Sequence, residues 1–460
     1  MELRAPAEPE PFAASRKVET REPGVFIFNP FSEGRIAEGK PFNPTKPQAQ
    51  LARDLENLPQ FLCRPQDLVL VHRRPDDAFL RRLEAAGFPT PAFVELPAPK
   101  TLPAGFETRQ FGFLRPWAWG PDSVELLAPL FDQVTGETRP AEQRFNPGLA
   151  QLYSKAWSAD FLRQILAAAG GGDGPDADWL CPANSAGIAV SSPAEALEVI
   201  ARIRARGHHK LIVKEALGAM GSNAMRLFEP EIVASHHRWM ANSFEKNRQL
   251  VIEPWLEREY DFSVQLEMTA SGLELCGWTG LLNDPRGQFM ANLAEPEYCR
   301  QPPARVRTLF QEQPEVVRRL PEFYAGLFRA LEAELRGAHF RGPVGIDAFV
   351  YRDAAGRRRV KPVVEINPRF TMGRVLVELM RHAVPGSQGR YRLVNRVALR
   401  EAGDADLAAY AERMTAQFPL ILEGHTAPLI REGFVCLNDP TTAQACVATF
   451  QVGRQLGGLA

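Results

Sequence analysis

The chain carries VVEINPRF from position 363, an apolar run that places Glu365 and Asn367 two positions apart. Side chains alternate along a strand, so these two share a face while Val364 and Ile366 point the other way. A carboxylate and an amide carbonyl side by side offer hard oxygen donors, which suit magnesium better than zinc or copper. A half-solvated edge strand could use the same residues, so the preceding stretch decides. Asp347 stands 18 residues earlier (365 minus 347) in GIDAFVY, and the polar stretch around Gly356 reads as the turn of a hairpin. Pairing of the two runs would set Asp347 opposite Glu365 and Asn367. Two carboxylates forced together repel, and one pKa rises unless a cation lies between them. The trio is therefore a candidate divalent-metal site.

Two further groupings could handle a nucleotide. LIVK (211 to 214) reads as a strand ending on Lys214, followed by a loop with Gly218, Gly221 and Ser222. Glycines let backbone N–H groups approach a polyanion, and a lysine supplies a point charge; a plain turn would look the same. In VIEPWLEREYDF, Glu253 and an exposed strand backbone could read an exocyclic amine and a ring nitrogen, and Asp261 could accept a ribose hydroxyl. Trp255 fits packing as readily as an adenine stack.

The order of these pieces, a helix lysine, a strand lysine with its glycine loop, EPWL with a following acid, then Asp and Glu-x-Asn, resembles the ATP-grasp superfamily. D-alanine:D-alanine ligase and biotin carboxylase are among its members. The likeness runs from about Leu149 to Met380 and is densest in GIDAFVY and VVEINPRFTMG. It implies that Lys155 in YSKAWS and Lys214 contact phosphates, and that Gly218, Gly221 and Ser222 belong to the phosphate lid. Ala219 and Met220 stand where relatives often have glycine. It further implies an adenine hinge of Glu253, Trp255 and Leu256, with Asp261 as the ribose acid. Asp347, Glu365 and Asn367 become magnesium ligands, and Arg369 steadies the transferred phosphoryl group.

The cofactors implied are ATP and Mg2+, with Mn2+ as a substitute. The implied activity is an ADP-forming carboxylate-amine ligase working through an acyl phosphate, its small-molecule carboxylate and amine partners including an amino acid or short peptide. Arg374 and Arg286 are candidates to grip a substrate carboxylate. An ATP-grasp kinase and a non-catalytic nucleotide-binding regulatory protein remain as alternatives. Analogy with relatives implies a homodimer.

The resemblance implies an α/β (α+β) architecture: an ATP-grasp fold preceded by a small α/β domain. Residues 1–22 read as a loose tail rich in Pro, Glu, Ala and Arg. In the unit 23–148, apolar runs at 24–30, 67–72 and 91–96 read as strands, with a helix between Asp76 and Gly87. The lid unit, 149–248, carries helices over 153–170 and 191–207, the second marked by Ser192, Pro193, Glu195 and a closing Gly207. The catalytic unit with a C-terminal extension, 249–460, carries a helix near Pro321 to Arg336, the hairpin, a helix near 405–417 and a terminal strand pair.

A formal charge of -1 gives no pull toward nucleic acid or anionic membrane, and Arg357, Arg358 and Arg359 read as a solvated turn. No apolar run approaches the roughly 20 residues that span a bilayer, nor does the start resemble a secretory signal, so the expected compartment is the cytoplasm. Six scattered cysteines point to reduced thiols without zinc.

Overall fold

The computed structural model describes residues 22–97, 101–136, 139–170, 178–218, 223–246, 248–283, 289–424 and 427–456. Its N-terminal runs form a parallel sheet in the order Ala92–Glu95, Leu68–Val71, Val25–Ile27, Leu114–Pro116. The helix Asp77–Ala85 buries Phe79, Leu80 and Leu83, and Asp76 caps it by accepting from the Ala78 N–H at 2.7 Å. Strand order reverses at Val25–Ile27, and in such sheets the crevice at the carboxyl ends of the strands flanking the reversal admits ligands. Here the two rims are tied together. Asn29 Nδ2 donates to the Ala118 carbonyl at 2.8 Å, and Ser32 Oγ to Asp122 Oδ1 at 2.7 Å.

A second, antiparallel sheet runs Ile188–Val190, Leu250–Pro254, Leu211–Glu215, Ala224–Leu227. The helices Pro193–Ala205 and Ala234–Glu245 contribute Val199, Ile200, Ile203 and Met240 to its core, against Leu211, Val213 and Ile252. Leu250–Pro254, assigned from sequence to the catalytic unit, belongs to this sheet. Bonded on both sides, it is an inner strand and not an exposed one.

The third sheet has nine antiparallel strands. Its catalytic end reads Arg358–Asn367, Gly342–Arg352, Glu257–Met268, Leu273–Asn283, and the C-terminal strands Gln388–Asn395, Cys446–Gly453 and Leu429–Cys436 prolong the other end. The helix Pro314–Gly337 begins well before the expected Pro321 and contains that proline. Val316, Leu320, Tyr324, Leu327, Leu331 and Leu335 form one buried stripe across it, and this packing outweighs the lost hydrogen bond. Among the described residues no helix is long and apolar enough to cross a membrane. The arginine turn also differs from expectation: Arg359 is 8% exposed, donating to the Leu180 carbonyl and to Asp353, and Arg358 pairs with Glu259.

Candidate active site

The hairpin predicted from sequence places Asp347 directly opposite Glu365, while Asn367 lies opposite Gly345, two pairs along and on the same face. Asn367 Nδ2 donates to Asp347 Oδ2 at 3.2 Å. Burial and the facing Glu365 carboxylate push the Asp347 carboxyl up to about 6. Burial also acts to raise Glu365, but the Lys155 ammonium, 3.0 Å from its Oε1, outweighs this and holds it below the usual carboxylate range. Two oxygen acids with an amide carbonyl, one acid under like-charge strain, fit a divalent cation of the magnesium type. Among the described residues no group of three His, Cys, Asp or Glu side chains could hold a metal; the third donor here is an amide.

Beneath the carboxylates lies a layer of buried neutral groups. Ser263 pairs across the sheet with Asp347, Gln265 Nε2 donates to Ser263 Oγ at 2.8 Å, and Thr371 Oγ1 donates to Gln265 Oε1 at 2.7 Å. Thr371 in turn caps the helix Met372–Leu379. Glycine is required at Gly373, where a Cβ would stand 2.5 Å from Gln265 Nε2.

Lys155 opens the helix Lys155–Ala168 behind its cap Ser154. Its ammonium spans Glu365 and the Gly218 carbonyl, the latter at 2.8 Å, and its N–H donates to Ala216, so helix, glycine loop and hairpin carboxylate meet at one side chain. Arg369 Nη2 donates to Asn367 Oδ1 at 2.9 Å, and its Nε donates to Glu33 Oε1 at 2.6 Å. Glu33, on the first helix Ser32–Glu38, is 3% exposed, and its Oε2 has no hydrogen-bond partner. Ala118 forms a β-bridge with Arg369, closing the N-terminal crevice onto the site.

Lys214 and Glu253 are neighbours in the second sheet, and Lys214 Nζ contacts Glu253 Oε1. Glu253 Oε2 accepts from Lys361 Nζ at 2.6 Å. Both carboxylate oxygens are thus committed to ammonium groups, and the expected role of Glu253 as reader of an exocyclic amine does not match this geometry. Leu256, 7% exposed, lies in the main core. The Trp255 ring lies against Phe228 and under the guanidiniums of Arg226 and Arg258, at 5.3 and 5.6 Å. Asp261 accepts from Arg258 and Asn283 at 3.1 and 3.0 Å. Arg374, 4% exposed, is held by Glu267 at 2.8 Å and Glu378 at 2.9 Å. It is built into an internal ion-pair chain, where a substrate carboxylate would have to displace existing partners. Gly221, Ser222 and Arg286 lie outside the described residues.

Sequence reasoning passed over Glu33 and Lys361 as site residues. Glu33 follows the first apolar run, and its partner Arg369 is 336 positions away. Lys361 was hidden by a register shift: Asp347 faces Glu365, yet Phe349 faces Lys361, so the second strand bulges around Pro362.

No family model and no curated protein matches the chain. Several solved structures are similar to it at low identity. N5-carboxyaminoimidazole synthetase from Staphylococcus aureus aligns at 11% identity over 94% of each chain, with a TM-score of 0.45. A biotin carboxylase from Campylobacter jejuni, solved with βγ-ATP, aligns at 12% over 94% of this chain and 87% of its own, with a TM-score of 0.49. The biotin carboxylase domain of Hydrogenobacter thermophilus 2-oxoglutarate carboxylase, a dimer with MgADP, ADP and bicarbonate, aligns at 10% over 94% and 86%, with a TM-score of 0.48. With TM-scores below 0.5, the chemistry has to be argued from the side chains of this chain.

Proposed function

We propose that this protein is an ATP-grasp enzyme that joins a carboxylate to an amine, forming ADP. The observation that carries this reading is the convergence of Asp347, Glu365, Asn367, Lys155 and Arg369, drawn from a hairpin, the residues just after it and a helix, with the Gly218 carbonyl held by Lys155. Three oxygen-bearing side chains beside two fixed cations suit a phosphoryl group accompanied by a divalent cation. Magnesium held by Asp347, Glu365 and Asn367 would neutralise charge on the phosphate oxygens.

A carboxylate oxygen attacks the γ-phosphorus of ATP and ADP leaves, giving an acyl phosphate. The amine nitrogen then attacks the acyl carbon; inorganic phosphate departs with the bonding electron pair, and nitrogen loses a proton. Lys155 positions phosphate oxygens, and Arg369 faces the charge that develops on the transferred group. Arg369 is itself aimed by Asn367 and Glu33. Glu33 Oε2, buried without a partner among the described residues, would accept an N–H of the attacking amine once the crevice opens to admit it. The parallel-sheet crevice that carries Glu33 would hold the substrates, which we take to be an amino acid or short peptide and a second small molecule. The loop from Gly218 would close over the phosphates and exclude water.

The test is ADP and phosphate release from Mg-ATP in the presence of paired acids and amines, with Glu365→Gln as the control. The reading requires turnover that needs both partners and is lost in E365Q; turnover preserved in that variant refutes the metal assignment.

A further inference from the structure

Lys214, Lys361 and Glu253 form a buried group with one more cation than anion. Lys361 comes from the third sheet and is 2% exposed, its Nζ fixed by Glu253 Oε2 at 2.6 Å and the Ser185 carbonyl at 3.1 Å. Lys214 comes from the second sheet, at the end of the strand that leads into the Gly218 loop, and its side chain is more open, 14% against 3%. Lys361 therefore reaches across the junction of the two sheets to share the Glu253 carboxylate with Lys214.

Resting on the nucleotide-binding reading above, we infer that Lys361 is a positioning residue: by holding Glu253, it leaves Lys214 free to follow the phosphates of an incoming nucleotide. Without Lys361, the Lys214–Glu253 contact would be a closed ion pair. Drawing Lys214 toward a phosphate would then strand a buried carboxylate, which is strongly unfavourable. With Lys361 in place, Glu253 keeps a partner at every stage, and the surplus positive charge is satisfied by the polyphosphate. Burial, with Lys361 close by, lowers the pKa of Lys214 despite its contact with Glu253, which marks it as an ammonium that an anion would stabilise.

The test is calorimetric ADP binding in EDTA, so that no metal enters the comparison, alongside steady-state kinetics in ATP. Lys361→Met should weaken ADP binding by roughly tenfold or more and raise the KM for ATP in step, with a smaller change in kcat. Lys361→Arg should recover most of the affinity. Because Lys361 acts through Glu253, adding Lys361→Met to a Glu253→Gln background should change the ADP Kd by less than about twofold. Wild-type affinity in K361M overturns the inference, and so does a full tenfold loss in the E253Q background, which would put Lys361 on the nucleotide itself. Should K361M fail to fold, the comparison of E253Q with E253Q/K361M decides alone. A wild-type protein that binds neither ADP nor ATP would refute the nucleotide reading itself, a separate result.

Discussion

Asp347→Asn should make the metal-free protein more stable while removing its response to magnesium. Burial and Glu365 raise the Asp347 carboxyl from 3.8 to about 6. At about 1.4 kcal/mol per pKa unit, the 2.2-unit difference corresponds to about 3 kcal/mol, closer to 2 once solvent access to this partly exposed side chain is allowed for. The sign follows from linkage. The folded protein holds this proton more tightly than the unfolded chain, so stability falls as pH rises from about 4 to about 6 and stays reduced above that. Asparagine does not ionise and lacks the loss. In thermal denaturation with EDTA, D347N should melt about 2 °C above wild type at pH 8, and the advantage should shrink toward zero near pH 4. Added Mg2+ should raise the melting temperature of wild type and leave D347N unmoved. A D347N protein no more stable than wild type at pH 8, or an advantage that ignores pH, would refute the argument that these carboxylates are strained together for a cation.

Other substitutions separate roles within the site. Glu33→Gln, which keeps the shape and the bond from Arg369 but removes the charge, should raise the KM for the amine by roughly tenfold and change that for ATP little; equal effects on both would place Glu33 outside the amine subsite. Arg374→Leu breaks a buried guanidinium away from Glu267 and Glu378 and should cost about 3–5 kcal/mol, read as a large drop in melting temperature. If that variant instead keeps its melting temperature and loses only affinity for the acid substrate, Arg374 is a substrate clamp after all. Gly373→Ala forces a methyl group against Gln265 and should weaken magnesium binding by disturbing the Gln265–Ser263 layer under Asp347; unchanged Mg2+ affinity would show that the layer is only packing.

What could be read ahead of the structure was whatever lies close in sequence. The Asp347–Glu365 hairpin was legible because both strands and their Gly356 turn fall within one short segment with period-2 patterning. The helix Pro193–Ala205 was legible from its cap: Ser192 accepts from the Glu195 N–H at 3.3 Å, although Glu195 Oε2 reaches the Ser191 N–H instead of completing the box. The start of the helix Pro314–Gly337 is not legible from Pro321, because the buried stripe that fixes the helix runs straight past that proline. The pairing of Leu250–Pro254 was missed because a short apolar run does not say which sheet it joins. The partners of Glu253 were not legible for the same reason, since its two lysines come from different sheets and neither contact is local. Lys361 needed knowledge of a bulge that alternation alone does not reveal.

The central claim is tested most directly by offering Mg-ATP with a matrix of amino acids and other small acids and amines, singly and in pairs. ADP release is followed, and product masses are read from active wells. The account predicts release that depends on two partners, one ADP and one phosphate per turnover, and a product mass equal to their sum less water. A phosphorylated single substrate would make the enzyme a kinase and contradict the ligase reading. ATP binding with no ADP formed from any acceptor would contradict catalysis at this site.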